Sequence, residues 1–119
     1  MIEPITMTIP GKPQPKQRAR KGRNGRWYTP KKTRNFERLA SNVAIVAIPS
    51  AWKKDETYRV TLTFFMPDKR RRDIDNCAKS VLDGLNGLAW YDDSQIAELT
   101  LRKELDRDSP RTEVEIDTL

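Results

Sequence analysis

The stretch from residue 58 to residue 66 constrains the fold more than any other. Tyr58, Val60, Leu62, Phe64 and Met66 recur at every second position, which puts them on one face of an extended strand that Pro67 ends. Such a strand is stable only beside other strands and beneath a covering layer. Ile-Thr-Met-Thr-Ile at residues 5–9 alternates in the same way and stops at Pro10 and Gly11. Residues 96–105 alternate through Ala97, Leu99, Leu101 and Leu105, with Lys103 interrupting the apolar face. A turn over Asp106 to Arg111 leads to a last strand marked by Val114 and Ile116, whose other face carries Glu113 and Glu115. The cover comes from two helical stripes. Thr33 is placed to cap a helix from about Arg34 to Ala47, with Phe36, Leu39, Ala40, Val43 and Ala44 inward and Pro49 just past its end. Ile74, Cys77, Ala78, Val81, Leu82 and Leu85 repeat at helical spacing up to Asn86-Gly87, and residues 88–94 form a short connection. The order β-α-β-α-β-β predicts an α/β (α+β) fold: one small domain over residues 1–119, a mixed sheet and two main helices.

The chain has 119 residues, 36% hydrophobic and 34% charged, so its core is lean, and lean cores often gain burial by oligomerising. No apolar run is long enough to span a membrane, and MIEPITMTIPGK has neither the basic nor the apolar region of a secretory signal. A single cysteine, Cys77, rules out an internal disulfide and suits a reducing cytoplasm. With no histidine as well, ordinary zinc sites and Ser-His or Cys-His catalysis are excluded, which leaves chemistry to Asp, Glu, Lys and Arg. The net charge of +6 is focused. Eleven Lys or Arg residues stand between Lys12 and Arg38 against one acid, Glu37, and Lys69, Arg70, Arg71 and Arg72 follow in a row. From Asp92 onward nine acids face four bases. Focused positive charge attracts polyanions through counterion release. The basic arm at about 11–28 reads as a mobile loop rich in Pro and Gly, yet Trp27, Tyr28, Thr29 and Pro30 within it read as ordered structure, which favours nucleic-acid binding over a solubilising tail. Lys12, Lys16, Arg18, Arg20, Lys69, Arg70, Arg71 and Arg72 are the expected phosphate contacts, holding the backbone without reading bases.

The chemistry falls where the basic run meets the second helix. Asp75, Lys79 and Asp83 are spaced four apart and share a face with Asn76, while a second acidic pair, Asp92-Asp93, precedes the next strand. If that loop returns near the start of the helix, several carboxylates converge, and a hard divalent ion such as Mg²⁺ relieves their repulsion while supplying an activated water at a phosphodiester. Spacing alone leaves a plainer reading open: Asp73 as a helix cap, Asp75–Lys79–Asp83 as surface ion pairs and Asp92-Asp93 as a turn. Asp106-Arg107-Asp108 has the same Asp-x-Asp spacing and reads as a turn.

FMPDKRRRDIDNCAKSVLDGL at residues 65–85, followed by Trp90-Tyr91-Asp92-Asp93-Ser94-Gln95, resembles the signature of the RusA family of Holliday-junction resolvases. Ile9-Pro10-Gly11-Lys12-Pro13, with Arg18, Arg20, Tyr28, Thr29 and Pro30, is similar to the same family, so the likeness spans most of the chain. The resemblance implies a homodimeric endonuclease of recombination and repair that cuts four-way, branched DNA by hydrolysis, in a family common in phages and prophages. It implies that Asp73, Asp75 and Asp93 bind Mg²⁺, for which Mn²⁺ can substitute, and that Lys79 is the catalytic lysine. Asn76 and Asp92 are given supporting parts. Asp83 lies roughly 12 Å from Asp75 at about 1.5 Å per helical residue, too far for the same ion, and is given a structural part. The rival readings are a non-catalytic DNA-binding protein of the same fold, which leaves the acids unexplained, and an RNA-binding module, which explains the charge alone.

Overall fold

The alternation at residues 58–66 is that of an inner strand. The computed structural model describes residues 3–119. In chain order it comprises β1 (Ile5–Pro10), β2 (Arg20–Lys21), β3 (Trp27–Tyr28), α1 (Lys31–Ala47), β4 (Tyr58–Met66), α2 (Ile74–Leu85), a 3₁₀ turn over Asp93–Gln95, β5 (Ile96–Leu105) and β6 (Arg111–Thr118). The main sheet runs β1-β6-β4-β5, with β4 and β5 parallel and the other pairs antiparallel. One row crosses it through Met7, Val114, Leu62 and Leu101. Both helices cover one face, and the other carries Thr6, Thr8, Glu113 and Glu115 to solvent. The expected α+β architecture is therefore the observed one, a single domain with a mixed sheet.

Three features depart from the sequence reading. Helix α1 starts at Lys31 after Pro30, so Thr33 lies inside its first turn and does not cap it. Proline presets the dihedral of a helix entrance, and Thr33 is fully buried against the arm. In β5 the apolar stripe is present but largely uncovered: Leu99 and Leu105 are 43% and 44% exposed. A shift in the pairing after Tyr58↔Ile96 also takes Ala97 out of the alternation, so that Leu99, Leu101, Lys103 and Leu105 follow Val60, Leu62, Phe64 and Met66 in register. The connection after α2, finally, is part of the core. Trp90 is fully buried, and Tyr58 lies between it and Trp52 with ring centroids 5.8 and 5.7 Å away. The indole N–H groups donate to the Asn86 side chain and the Ala89 carbonyl, both at 2.8 Å, which lets polar atoms enter the core without loss.

The two helices cross closely at Gly84. A Cβ there would stand 2.9 Å from the Glu37 carbonyl oxygen and from the Ala40 Cβ, so only glycine permits the approach. Ser41 secures it by donating 2.6 Å to the Gly84 carbonyl.

Candidate active site

The basic loop between β4 and α2 is braced from below. Asp68 accepts two hydrogen bonds from Arg72, at 2.7 and 3.3 Å, and one from the Arg70 backbone at 3.0 Å. The Arg72 bond above all holds the Asp68 carboxyl down to about 2. Lys103, the residue that interrupts the β5 stripe, donates 2.8 Å to the Arg72 carbonyl and ties this loop to the sheet edge. Arg72 is thus a bracket, whereas Lys69, Arg70 and Arg71 face solvent.

Asp73 takes the N-cap position of α2, but its carboxylate makes no capping bond. Asp75 sits in the first turn, exposed, and among the described residues accepts only from the neighbouring Asn76 N–H at 2.9 Å. Among the described residues neither Asp75 nor Lys79 makes an ion pair, so the row Asp75–Lys79–Asp83 is not a chain of surface salt bridges. Asp83 is engaged from another direction. Lys16 reaches in from the arm to Asp83 at 3.0 Å and to Glu37 at 2.8 Å, and its backbone N–H donates 2.9 Å to the Asn76 carbonyl. Burial pulls the Lys16 ammonium down, but its bonds to Glu37 and Asp83 outweigh that and hold it above its usual value. Gln17 adds a clamp: its backbone N–H donates 3.0 Å to the Thr33 hydroxyl, which donates 3.1 Å back to the Gln17 amide oxygen. The arm, read as mobile from its composition, is pinned across the start of both helices. Of its bases, Lys12, Arg18 and Arg20 stay exposed and unpaired among the described residues, while Lys16 is an internal strut.

Asp92 and Asp93 divide in role. The Asp92 carboxylate accepts 3.0 Å from the Ser94 N–H and closes a capping box with Gln95. Hydrogen bonding from the Ser94 side chain first, and then from its backbone N–H, lowers the Asp92 pKa. Asp93 makes no such bond. Its pKa is raised by burial first, then by the carboxylates of Asp92 and Asp83, with Lys79 opposing. The loop therefore rests beside Lys79 and Asp83 and does not return to the start of α2. The physical reason is topological. Because β5 is parallel to β4, its first residue Ile96 pairs with Tyr58, whereas α2 begins beyond Met66 at the other end. Those strand ends are about 26 Å apart at about 3.3 Å per residue. Among the described residues no three metal-ligating side chains stand within reach of one ion, so Asp73, Asp75 and Asp93 do not converge within a single chain.

A family model described as Endodeoxyribonuclease RusA matches residues 10–117 of the 119. The chain belongs to the RusA endodeoxyribonuclease family. No curated protein matches the sequence. Family membership makes the chain one of a family of DNA-cutting enzymes, and it covers both acidic segments and the arm. No helix among the described residues is long and apolar enough to cross a membrane.

One residue that organises this RusA-family site, Gln95, carries a role that the motif alone does not reveal. Gln95 donates from its amide nitrogen to the carbonyls of Lys54 (2.6 Å) and Glu56 (2.9 Å), and accepts at its amide oxygen from the N–H groups of Tyr91 (2.9 Å) and Asp92 (3.0 Å). That fills the side chain's hydrogen-bonding capacity and fixes the Asp92-Asp93 loop to the segment before β4. The Asp-x-x-Gln spacing of a capping box was the available signal. The Lys16–Asp83 and Gln17–Thr33 contacts carried none, because each joins segments distant in sequence.

Proposed function

We propose that this chain is a Holliday-junction resolvase: a homodimeric, Mg²⁺-dependent endonuclease that hydrolyses phosphodiesters at four-way DNA junctions. The observation that carries the reading is the state of the acids. Asp73 and Asp75 open α2 with carboxylates that, among the described residues, neither cap the helix nor pair with a base, at the end of the loop that carries the exposed cations Lys69, Arg70 and Arg71. Asp93 is the member of the second pair whose carboxylate is unengaged among the described residues. An all-carboxylate donor set without histidine or an accessible thiol fits a hard divalent ion, since Cys77 is buried and burial pushes its thiol up to about 11.

Asp73, Asp75 and Asp93 would hold the ion, which supplies an activated water and charge neutralisation at the scissile phosphate when bound. Lys79, exposed and unpaired, meets the charge that develops on the phosphate oxygens. Asp92 shapes the loop that carries Asp93, Asn76 anchors the arm through its carbonyl, and Asp83 holds Lys16.

The separation of Asp93 from Asp73 and Asp75 supports the dimer. β5 has no strand on its outer side among the described residues and exposes Leu99 and Leu105. Two copies joined antiparallel along this edge would set the start of one β5, which follows Asp93, against the end of the other, which lies by Met66 and the entrance to α2. Each of two symmetric sites would then take Asp93 from one copy and Asp73 and Asp75 from the other, which matches two cuts on a two-fold junction. Incubation with a mobile four-way junction, with and without Mg²⁺, followed by strand-resolved mapping of nicks, tests the reading. Paired, symmetric, metal-dependent nicks are expected, and intact junction in Mg²⁺ would refute it. A reducing, cytoplasmic setting belongs to the same proposal.

A further inference from the structure

The tip of the arm carries chemistry that phosphate binding leaves unused. β2 and β3 form a hairpin with Lys21 opposite Trp27 and Arg20 opposite Tyr28. Directly opposed residues share a face, so each face holds one aromatic ring and one cation. The turn is closed by Gly25 N–H to the Gly22 carbonyl at 3.0 Å and Gly22 N–H to the Arg26 carbonyl at 2.8 Å, with Gly25 at φ +78, a conformation open chiefly to glycine. A two-stranded hairpin is marginal alone. This one has both legs fixed: it leaves Gln17 and re-enters at Thr33, the two residues that clamp each other, beside the Lys16–Asn76 contact at the first turn of α2.

Trp27 is 69% exposed and Tyr28 47%, whereas Trp52 and Trp90 lie in the core. Arg18, Arg20, Lys21, Arg23 and Arg26 around them are exposed and unpaired among the described residues. Large apolar rings left in water mark a contact surface. A protein or membrane partner calls for a continuous apolar patch, but here single rings alternate with cations, the composition that binds the nucleic-acid backbone while stacking its bases. In an uninterrupted duplex each base is already covered on both faces. A free base face exists only where the stack is broken, as at a branch point.

We propose that the β2–β3 hairpin is a stacking element, with Trp27 covering a base exposed at the branch point beside the cutting site. The inference rests on the junction reading above and adds to it the group that senses the interruption. It is tested in chelator, without cleavage, by the binding of wild type, Trp27→Ala and Trp27→Phe to a four-way junction with 2-aminopurine at the branch, the same junction labelled within an arm, and a linear duplex. Wild type should quench the branch label and not the arm label. Trp27→Ala should lose about ten-fold in junction affinity, the effect of about one stacked base, with an unchanged salt slope and unchanged duplex affinity, while Trp27→Phe keeps most of the affinity. Trp27 lies outside the core, so melting temperatures should agree. Equal junction affinity for wild type and Trp27→Ala would overturn the proposal, as would an equal loss on duplex, which would make Trp27 a groove or backbone contact. A wild type that binds junction no better than duplex would instead sink the junction reading, and this inference with it.

Discussion

The chain holds two Asp-x-Asp triplets of identical spacing and opposite character. In Asp106-Arg107-Asp108 the Asp106 carboxylate accepts from Arg111 at 2.8 Å and from the N–H groups of Ser109 and Asp108 at 3.1 and 3.2 Å. Arg111 above all lowers its pKa. In Asp73-Ile74-Asp75 the first carboxylate does not cap its helix and the second, among the described residues, meets only its neighbour's N–H. The first triplet is a finished turn. The second is a pair of negative charges held ready at the mouth of a basic loop, an arrangement that helps the fold little and suits a cation. Spacing does not separate structural from functional acids; the supply of internal donors does.

The largest expected effects break the comparison outright. Asp75→Asn and Asp93→Asn should each lower junction nicking by about 10²–10³-fold or more, whereas Asp106→Asn should cut like wild type and melt earlier. Mixing the two inactive variants is more discriminating. If each site draws Asp75 from one copy and Asp93 from the other, re-assorted dimers contain one intact site, and roughly a quarter of wild-type nicking should return, on one strand per junction. A mixture as inactive as its parents would place all the acids of a site in one chain.

The arm offers the same contrast among cations. Replacing Arg18 and Arg20 together with alanine should reduce the slope of log affinity against log salt by up to about 1.8, since each phosphate contact contributes about 0.9. Lys16→Ala should leave that slope alone and lower the melting temperature, because it strips Glu37 and Asp83 of their shared partner. An equal drop in slope for Lys16→Ala would return that residue to the phosphate contacts.

Smaller effects should appear in stability. The Asp93 pKa is raised by burial and by the carboxylates of Asp92 and Asp83, so its ionised form weighs against folding above that pKa. In chelator at neutral pH, Asp93→Asn should therefore melt slightly higher than wild type while failing to cut, the mark of a residue kept for function. Asp92→Asn should keep cutting, since asparagine caps nearly as well as aspartate. The smallest effect concerns Asp68, held at about 2 from an ordinary 3.8, chiefly by Arg72. A carboxyl lowered on folding stabilises above its unfolded value and loses that contribution as the pH falls through its folded one. Wild type should lose melting temperature between about pH 4 and pH 2 more steeply than Asp68→Asn, by a small margin because the pair is solvent-screened.

Much of this molecule is local and therefore legible. Period two at Ile5–Ile9, Tyr58–Met66 and Val114–Ile116, and helical period from Ile74 to Leu85, each depend on which residues share a face, and the α+β class follows. The candidate acids were legible too, because a run of cations against Asp-x-Asp-Asn, a lysine and Asp-Asp is a statement about composition along the chain. What the sequence could not decide was who holds whom. Lys16 and Arg18 look alike in a basic run, yet one is bound to Asp83 across 67 positions and the other faces solvent. Asp92 and Asp93 are adjacent, yet Gln95 and Ser94 engage only the first. Whether Asp93 reaches Asp73 was settled by the parallel pairing of β4 with β5, which sends the two to opposite ends of the sheet. Periodicity is written residue by residue, whereas proximity between distant residues exists only once the strands have chosen their neighbours and directions.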